Sequence, residues 1–179
     1  MKPLPVLLGA LMLCACSTTP TASSPSTPLH ALPIDGPVSV RWRDPATFSE
    51  TRVNRGELLR QRDRWVDALM RSLHAEAGRR LPAGHTVRIE VVDVKRAGDY
   101  EPWQGIDYQH VRILRDVYPP RITLRYMLRD AAGNMVSEGE DRLSGIDHLQ
   151  IGSAVDSDPL RHEKRLLRDW AARRLVPAR

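Results

Sequence analysis

Acidic and histidine side chains gather between positions 93 and 116: Asp93, Asp99, Glu101, Asp107, His110 and Asp116. Carboxylate oxygens bind Ca²⁺ or Mg²⁺, and an imidazole would extend the choice to Zn²⁺. The spacing matches neither an EF-hand loop nor an HExxH helix, so no metal and no other cofactor is assigned. Asp93 and Asp116 would make an acid/base pair if the intervening chain folded back. The commoner outcome puts such carboxylates on turns or beside arginines, here Arg112 and Arg115. Ser153 in Gly152-Ser153-Ala154 lacks the G-x-S-x-G elbow of a nucleophile. His162 and Glu163 fall in the first turn of a C-terminal helix, where a carboxylate suits the helix dipole. No glycine-rich phosphate loop occurs, and no catalytic residue is assigned. The same segment holds the best recognition candidates, Tyr100 and Trp103, in a loop with Gly98, Pro102 and Gly105. Exposed aromatics anchor partners or sugars. The commoner alternative folds Trp103 back as a lid on the core.

These residues depend on the elements around them. Val38, Val40 and Trp42 alternate with Ser39 and Arg41, which predicts a first strand. Leu58, Arg62, Trp65, Leu69, Leu73 and Ala77 recur at helical spacing, predicting a helix over 55–81 with Asn54 as its N-cap and Pro82 beyond its end. Val87, Ile89 and Val91 predict a second strand over 86–94. Its far end, Val92 and Val94, is apolar on both faces, which suits a central position. Residues 110–116 allow a short extended piece. Ile122, Leu124, Tyr126 and Leu128 predict a strand, joined by the turn 130–134 to a partner over 135–143, with Gly139 as a bulge. Asp158 and Pro159 begin a final helix as cap and first residue. The order predicts an α+β domain: a mainly antiparallel sheet of about four strands with two helices packed on one face.

The N-terminus carries a different signal. Lys2 precedes the apolar run 6–13, which is too short to span a bilayer at roughly 20 residues and suits a signal-peptide core. Leu13-Cys14-Ala15-Cys16 resembles a lipobox, with small Ala15 before the candidate acylated residue Cys16. Leu13 makes Cys14 the poorer site. Residues 1–15 are then a removed lipoprotein signal peptide, and no second thiol remains for a disulfide. Residues 16–37 are the lipidated cysteine and a linker rich in Pro, Ser and Thr, a composition that cannot bury enough apolar surface to order itself. Extended, it would reach roughly 60 Å at about 3.1 Å per residue. Residues 38–176 form the single domain. Such lipoproteins are triacylated, and Ser17 after the cysteine favours transfer to the outer membrane, with the domain facing the periplasm.

Hydrophobic residues make up 41% of the chain, enough for a core in one domain of common size. The formal charge is +5, carried almost wholly by arginine, with lysine only at Lys2, Lys95 and Lys164. The arginines read as scattered among Asp and Glu rather than gathered into a stripe, so nucleic acid is not an expected partner.

Several blocks resemble one family. Val40-Arg41-Trp42-Arg43-Asp44-Pro45, Asp93-Val94, Ala97-Gly98-Asp99, Arg115-Asp116-Val117-Tyr118, Pro119-Pro120-Arg121-Ile122, Glu163-Lys164, Leu166-Leu167 and Asp169-Trp170 are similar to exported bacterial proteins known only as a domain of unknown function, DUF3016. The similarity runs from about Val38 to Trp170; the pair Lys95-Arg96 is more basic than that pattern. The resemblance implies a stable exported domain and supplies no activity, ligand or catalytic residue. The expected function is a membrane-anchored envelope lipoprotein acting as a non-catalytic binding or accessory module. Its expected partners are the membrane, through the lipid anchor, and an envelope protein or anionic polymer. The alternative is a periplasmic hydrolase using carboxylates or a metal in the 93–116 region; a third possibility is acyl-chain binding between sheet and helices.

Overall fold

The computed structural model of the chain describes residues 29–33, 35–53, 59–108, 111–145 and 157–175. Cys16, Asn54, His110 and Ser153 lie outside the described residues, as does the side chain of Asp107.

The strands form where apolar residues alternate. They are β1 (His30–Ala31), β2 (Val38–Trp42), β3 (Thr86–Lys95), β4 (Asp99–Tyr100), β5 (Arg112–Ile113), β6 (Arg121–Arg129) and β7 (Met135–Ser144). Five of them make one sheet in the order β1-β2-β3-β6-β7, and β4 pairs with β5 in a separate ribbon. The helices are α1 (Ser49–Val53), α2 (Leu59–Arg80) and α3 (Arg161–Arg174). The α+β class is as expected, but the sheet is mixed. β2 and β3 run parallel, with Val38 opposite Val87 and Trp42 opposite Val91. The reason is topological. A helical crossover returns the chain to the starting end of the first strand, so neighbours joined through α2 must be parallel, whereas hairpin neighbours are antiparallel.

The fifth strand comes from the segment that reads as linker. His30 stacks on Trp42 with ring centres 5.8 Å apart. The Leu32 amide donates to the Val40 carbonyl at 3.2 Å, and Leu32 is buried against the core. Proline-rich composition hides this short edge, which needs only two paired residues and one apolar anchor.

The core lies between one face of the sheet and the two long helices. Trp65, Val66, Leu69, Met70, Leu73 and Ala77 of α2 face it, as do Leu167, Trp170 and Ala171 of α3. These side chains meet Val87, Ile89 and Val91 of β3 and Ile122, Leu124 and Tyr126 of β6 in one apolar cluster. Trp170 packs edge-on against Tyr126 at 5.7 Å and donates its indole N–H to Asp141 of β7 at 2.9 Å. Arg174 adds two bonds to the same carboxylate, and these bonds with Arg174, the larger cause, hold Asp141 below its ordinary pKa.

Some local expectations change. Helix α1 (Ser49–Val53) precedes α2, and residues 54–58 between them lie outside the described residues. Gly139 pairs regularly with Tyr126, and a Cβ there would meet the tyrosine ring at an ordinary 3.5 Å. The extra residues of the sheet are Val92 and Val136, where the registers slip. Asp158 does not cap α3 directly. Its carboxylate accepts the Leu160 amide at 2.8 Å, so Pro159 and Leu160 form a turn ahead of the helix.

The sheet's other face collects charge that the linear sequence scatters. The register lines up Arg41, Glu90, Arg125 and Glu140 across β2, β3, β6 and β7. Arg125 lies 3.0 Å from Glu140 and 3.9 Å from Glu90. Arg43 lies 3.2 Å from Glu90, and Arg142 3.3 Å from Glu140. Strand periodicity, with side chains on one face at every second residue, turns dispersed charges into an alternating ladder.

Candidate functional site

β3 and β6 are antiparallel neighbours, a pairing usually closed by a hairpin loop of 2–5 residues. Here the connection is the whole segment 96–120. It leaves the end of β3, makes the β4–β5 ribbon, and carries two short 3₁₀ turns, Pro102–Gln104 and Ile106–Tyr108, at its far side. Long ordered excursions of this kind need anchors, because a loop otherwise has few buried contacts to offset its entropy.

The anchor is ionic and centres on Glu50, only 1% exposed. One carboxylate oxygen is paired with the Arg112 guanidinium of β5. The other accepts the Arg96 amide at 3.0 Å and Lys95 Nζ at 3.5 Å. Arg112 also donates to the carbonyls of Ala97 and Gly98, both at 3.1 Å, and lies 5.0 Å from the Tyr100 ring centre. Burial opposes the arginine charge, yet Glu50 beside it holds the guanidinium pKa above its ordinary value. Lys95 Nζ donates to the Gly98 carbonyl at 2.9 Å and lies 3.7 Å from Asp99. Gly98 adopts φ +78°, and a Cβ there would sit 2.7 Å from the Ile113 carbonyl oxygen. Only glycine tolerates that backbone and that approach.

A second carboxylate holds the middle of the excursion. Glu101, 2% exposed, accepts from Arg115 at 2.8 Å, from the Tyr118 hydroxyl at 3.0 Å, and from the Gln104 side chain. The hydrogen bond to Glu101 is the largest cause raising the Tyr118 pKa. A third comes from α3. Glu163 Oε1 accepts the Ala97 amide at 2.6 Å, and Oε2 is buried without a hydrogen-bond partner. Burial, the largest effect, pushes this carboxyl above its ordinary pKa.

This base carries an apolar outer surface. Trp103 is 72% exposed, and Ile106, Tyr108, Val111 and Val117 are exposed with it. Trp103 is therefore no lid on the core; it lies in the 3₁₀ turn that Pro102 starts. Tyr100 is half-buried at the base and packs on Arg112. The two recognition candidates thus separate into one foundation residue and one exposed residue.

The carboxylates of the segment do not converge. Asp93 accepts the Ser49 amide and hydroxyl, each at 2.6 Å, and so fixes the start of α1. Asp116 is exposed in the turn before Tyr118. Asp99 and Glu101 each sit beside a cation. Among the described residues, no three histidine, cysteine or acidic side chains are grouped as a metal would require. Sequence reasoning missed Glu50, Lys95 and Glu163 as members of one site. The usable signals were Gly98 and the pairing of the Ala97-Gly98-Asp99 and Glu163-Lys164 blocks within one family pattern.

Fold and site define an α+β sheet–helix domain with an ion-locked excursion between two antiparallel strands. The family model described as a protein of unknown function, DUF3016, matches residues 36–173. The chain belongs to that family. No curated protein and no solved structure matches it.

Proposed function

We propose that the protein is a membrane-anchored envelope lipoprotein that acts as a non-catalytic binding module and presents the 101–118 excursion to its partner. Cys16 is the acylated residue, and the outer membrane facing the periplasm is the destination that Ser17 favours. The observation that carries the binding reading is Trp103, 72% exposed on a base whose carboxylates are held by arginine and lysine. An exposed tryptophan on a fixed support is a preorganised anchor, since little side-chain or loop freedom is lost on contact. The hydrolase alternative has less support, because Asp93 uses both oxygens on Ser49 while Asp116 is exposed in a turn.

Two measurements test the proposal. Cys16→Ala should abolish labelling by radioactive palmitate; persistent labelling would place the anchor elsewhere. A photoreactive residue at position 103 should crosslink in cells, and one at position 71, on the outer side of α2, should not. Equal yields at both positions would remove the excursion as the binding element.

A further inference from the structure

The aromatic excursion and the tether leave the domain at the same end of the sheet. β1 runs antiparallel to β2, with His30 opposite Trp42, the last residue of β2. The chain preceding His30 is therefore at the C-terminal end of β2. β3 is parallel to β2, so its C-terminal end, from which the excursion springs, is the same end. Twelve residues, 17–28, separate Cys16 from Leu29. They reach at most about 40 Å at about 3.1 Å per residue, roughly one diameter of a domain whose radius of gyration is about 14 Å. An acyl anchor at Cys16 is thus joined to this end of the sheet, and a tether of that length lets this end reach the lipid.

The chemistry of the excursion suits that position. Tryptophan and tyrosine favour the membrane–water boundary, where an apolar ring and a polar edge are both satisfied. Trp103 and Tyr108 are exposed, and so are the aliphatic side chains of Ile106, Val111 and Val117 of the same excursion. The nearby Glu101 is turned inward and neutralised by Arg115, which keeps its charge from opposing anionic headgroups. Arg115 is half-exposed with its charge paired to Glu101 and Asp116 is exposed beside it, so contact with lipid is left to the aromatic and aliphatic side chains.

We propose that the excursion, through its described residues 101–108 and 111–118, is a membrane foot, seating Trp103, Ile106 and Val117 in the headgroup–acyl boundary of the bilayer to which the N-terminus is attached. The foot rests on the tethered-lipoprotein reading and names the lipid surface as the occupant of its binding element. A triacyl group anchors the chain stably by itself, so the foot adds orientation of the domain rather than attachment.

The test uses the four tryptophans. Trp42, Trp65 and Trp170 are buried and Trp103 is exposed, so quenchers report mainly on Trp103. Full-length mature protein is reconstituted into phosphatidylethanolamine–phosphatidylglycerol vesicles containing lipids brominated on the acyl chains. The expected result is quenching of the Trp103 emission together with its protection from aqueous acrylamide. Trp103→Phe should remove the quenchable component and leave the buried emission unchanged. Ile106→Ser with Val117→Ser, which keeps the reporter, should reduce quenching at least twofold. If Trp103 stays open to acrylamide and untouched by brominated lipid while the acylated N-terminus is in the vesicle, the foot is overturned. Intact mass separates this from failure of the anchor. A chain without the acyl adduct sinks the lipoprotein reading, and the foot is then decided by the same quenching on the unacylated chain at saturating vesicles, where none would overturn it.

Discussion

Two ionic networks in this domain use the same residue types and do different work. Beneath the excursion, Glu50 joins Arg112 and Lys95 with less than a tenth of the carboxylate and of the ammonium side chain exposed. Across the open sheet face, Glu90 and Glu140 alternate with Arg43, Arg125 and Arg142 at substantial exposure. The buried network joins α1, the end of β3 and β5, and so sets where the excursion stands. The surface ladder joins strands whose register the hairpin and core already fix. In water the ladder's charges are screened, and exposed pairs contribute little. The buried charges have little access to solvent: among the described residues, without Glu50, Lys95 keeps only Asp99 as a counter-ion and Arg112 keeps the carbonyls of Ala97 and Gly98.

The largest test of this contrast is Glu50→Ala. It leaves Arg112 and Lys95 without their shared carboxylate, and the expected loss is about 3–5 kcal/mol in urea unfolding. Replacing Glu50 and Arg112 together by leucine should restore part of that loss. A double variant as unstable as the single one would show that the network's polarity, and not its unpaired charge, is what matters. Gly98→Ala comes next, at more than about 1 kcal/mol, because it combines a left-handed backbone with a clash against the Ile113 carbonyl. Its loss should fall on amide protection in β4 and β5 before the main sheet.

Glu163 sharpens the comparison through pH. Burial raises its folded-state pKa, so the folded protein holds that proton more tightly than the unfolded chain. The stabilisation is complete below the ordinary value of 4.5 and is lost as pH rises through the raised value. Glu163→Gln should lack this decline above pH 4.5 while keeping a carbonyl for the Ala97 amide. The ladder responds on the other side. Hydrogen bonding to Arg125, the largest cause, lowers the Glu140 pKa, so its contribution is present above the unfolded value and is lost as pH falls through the lowered one. A stability–pH curve of Glu163→Gln that is parallel to wild type above 4.5 would contradict the burial argument. The smallest effect is expected for Arg125→Ala, with an unfolding midpoint inside the scatter of repeats. A clear drop would show the ladder to be a supporting element after all.

Much of the fold was legible because its signals are local. Alternation marked β2, β3 and β6, and helical spacing marked the buried face of α2, including Trp65 and Leu69. The turn around Gly133, at φ +84°, was readable from Asp130 and Asn134, whose side chains close it. The parallel β2–β3 pairing required asking which strands are neighbours, which no periodicity states. β1 was hidden in proline-rich sequence because its anchor is a single leucine. The site was legible in Tyr100 and Trp103 and in the carboxylates Asp99 and Glu101 with Arg112 and Arg115 beside them, but not in Glu50, Lys95 or Glu163. Its foundation joins residues 45, 62 and 66 positions apart, as Lys95–Glu50, Arg112–Glu50 and Ala97–Glu163. Spacing rules cannot reach pairs so distant, and only the resemblance between blocks hinted that positions 97 and 163 belong together.

The bond from Ala97 to Glu163 also bears on timing. Sheet strands β2, β3, β6 and β7 are all complete in the chain before residue 145, but Glu163 belongs to the last helix. A contact across 66 positions cannot form until the intervening chain has been made and has packed. The excursion can therefore take its final setting only once α3 has docked. Until then its aromatic surface is held by Glu50 and Glu101 alone. In a chain emerging N-terminus first, an excursion from the middle of the sequence is thus among the last parts of the domain to become rigid.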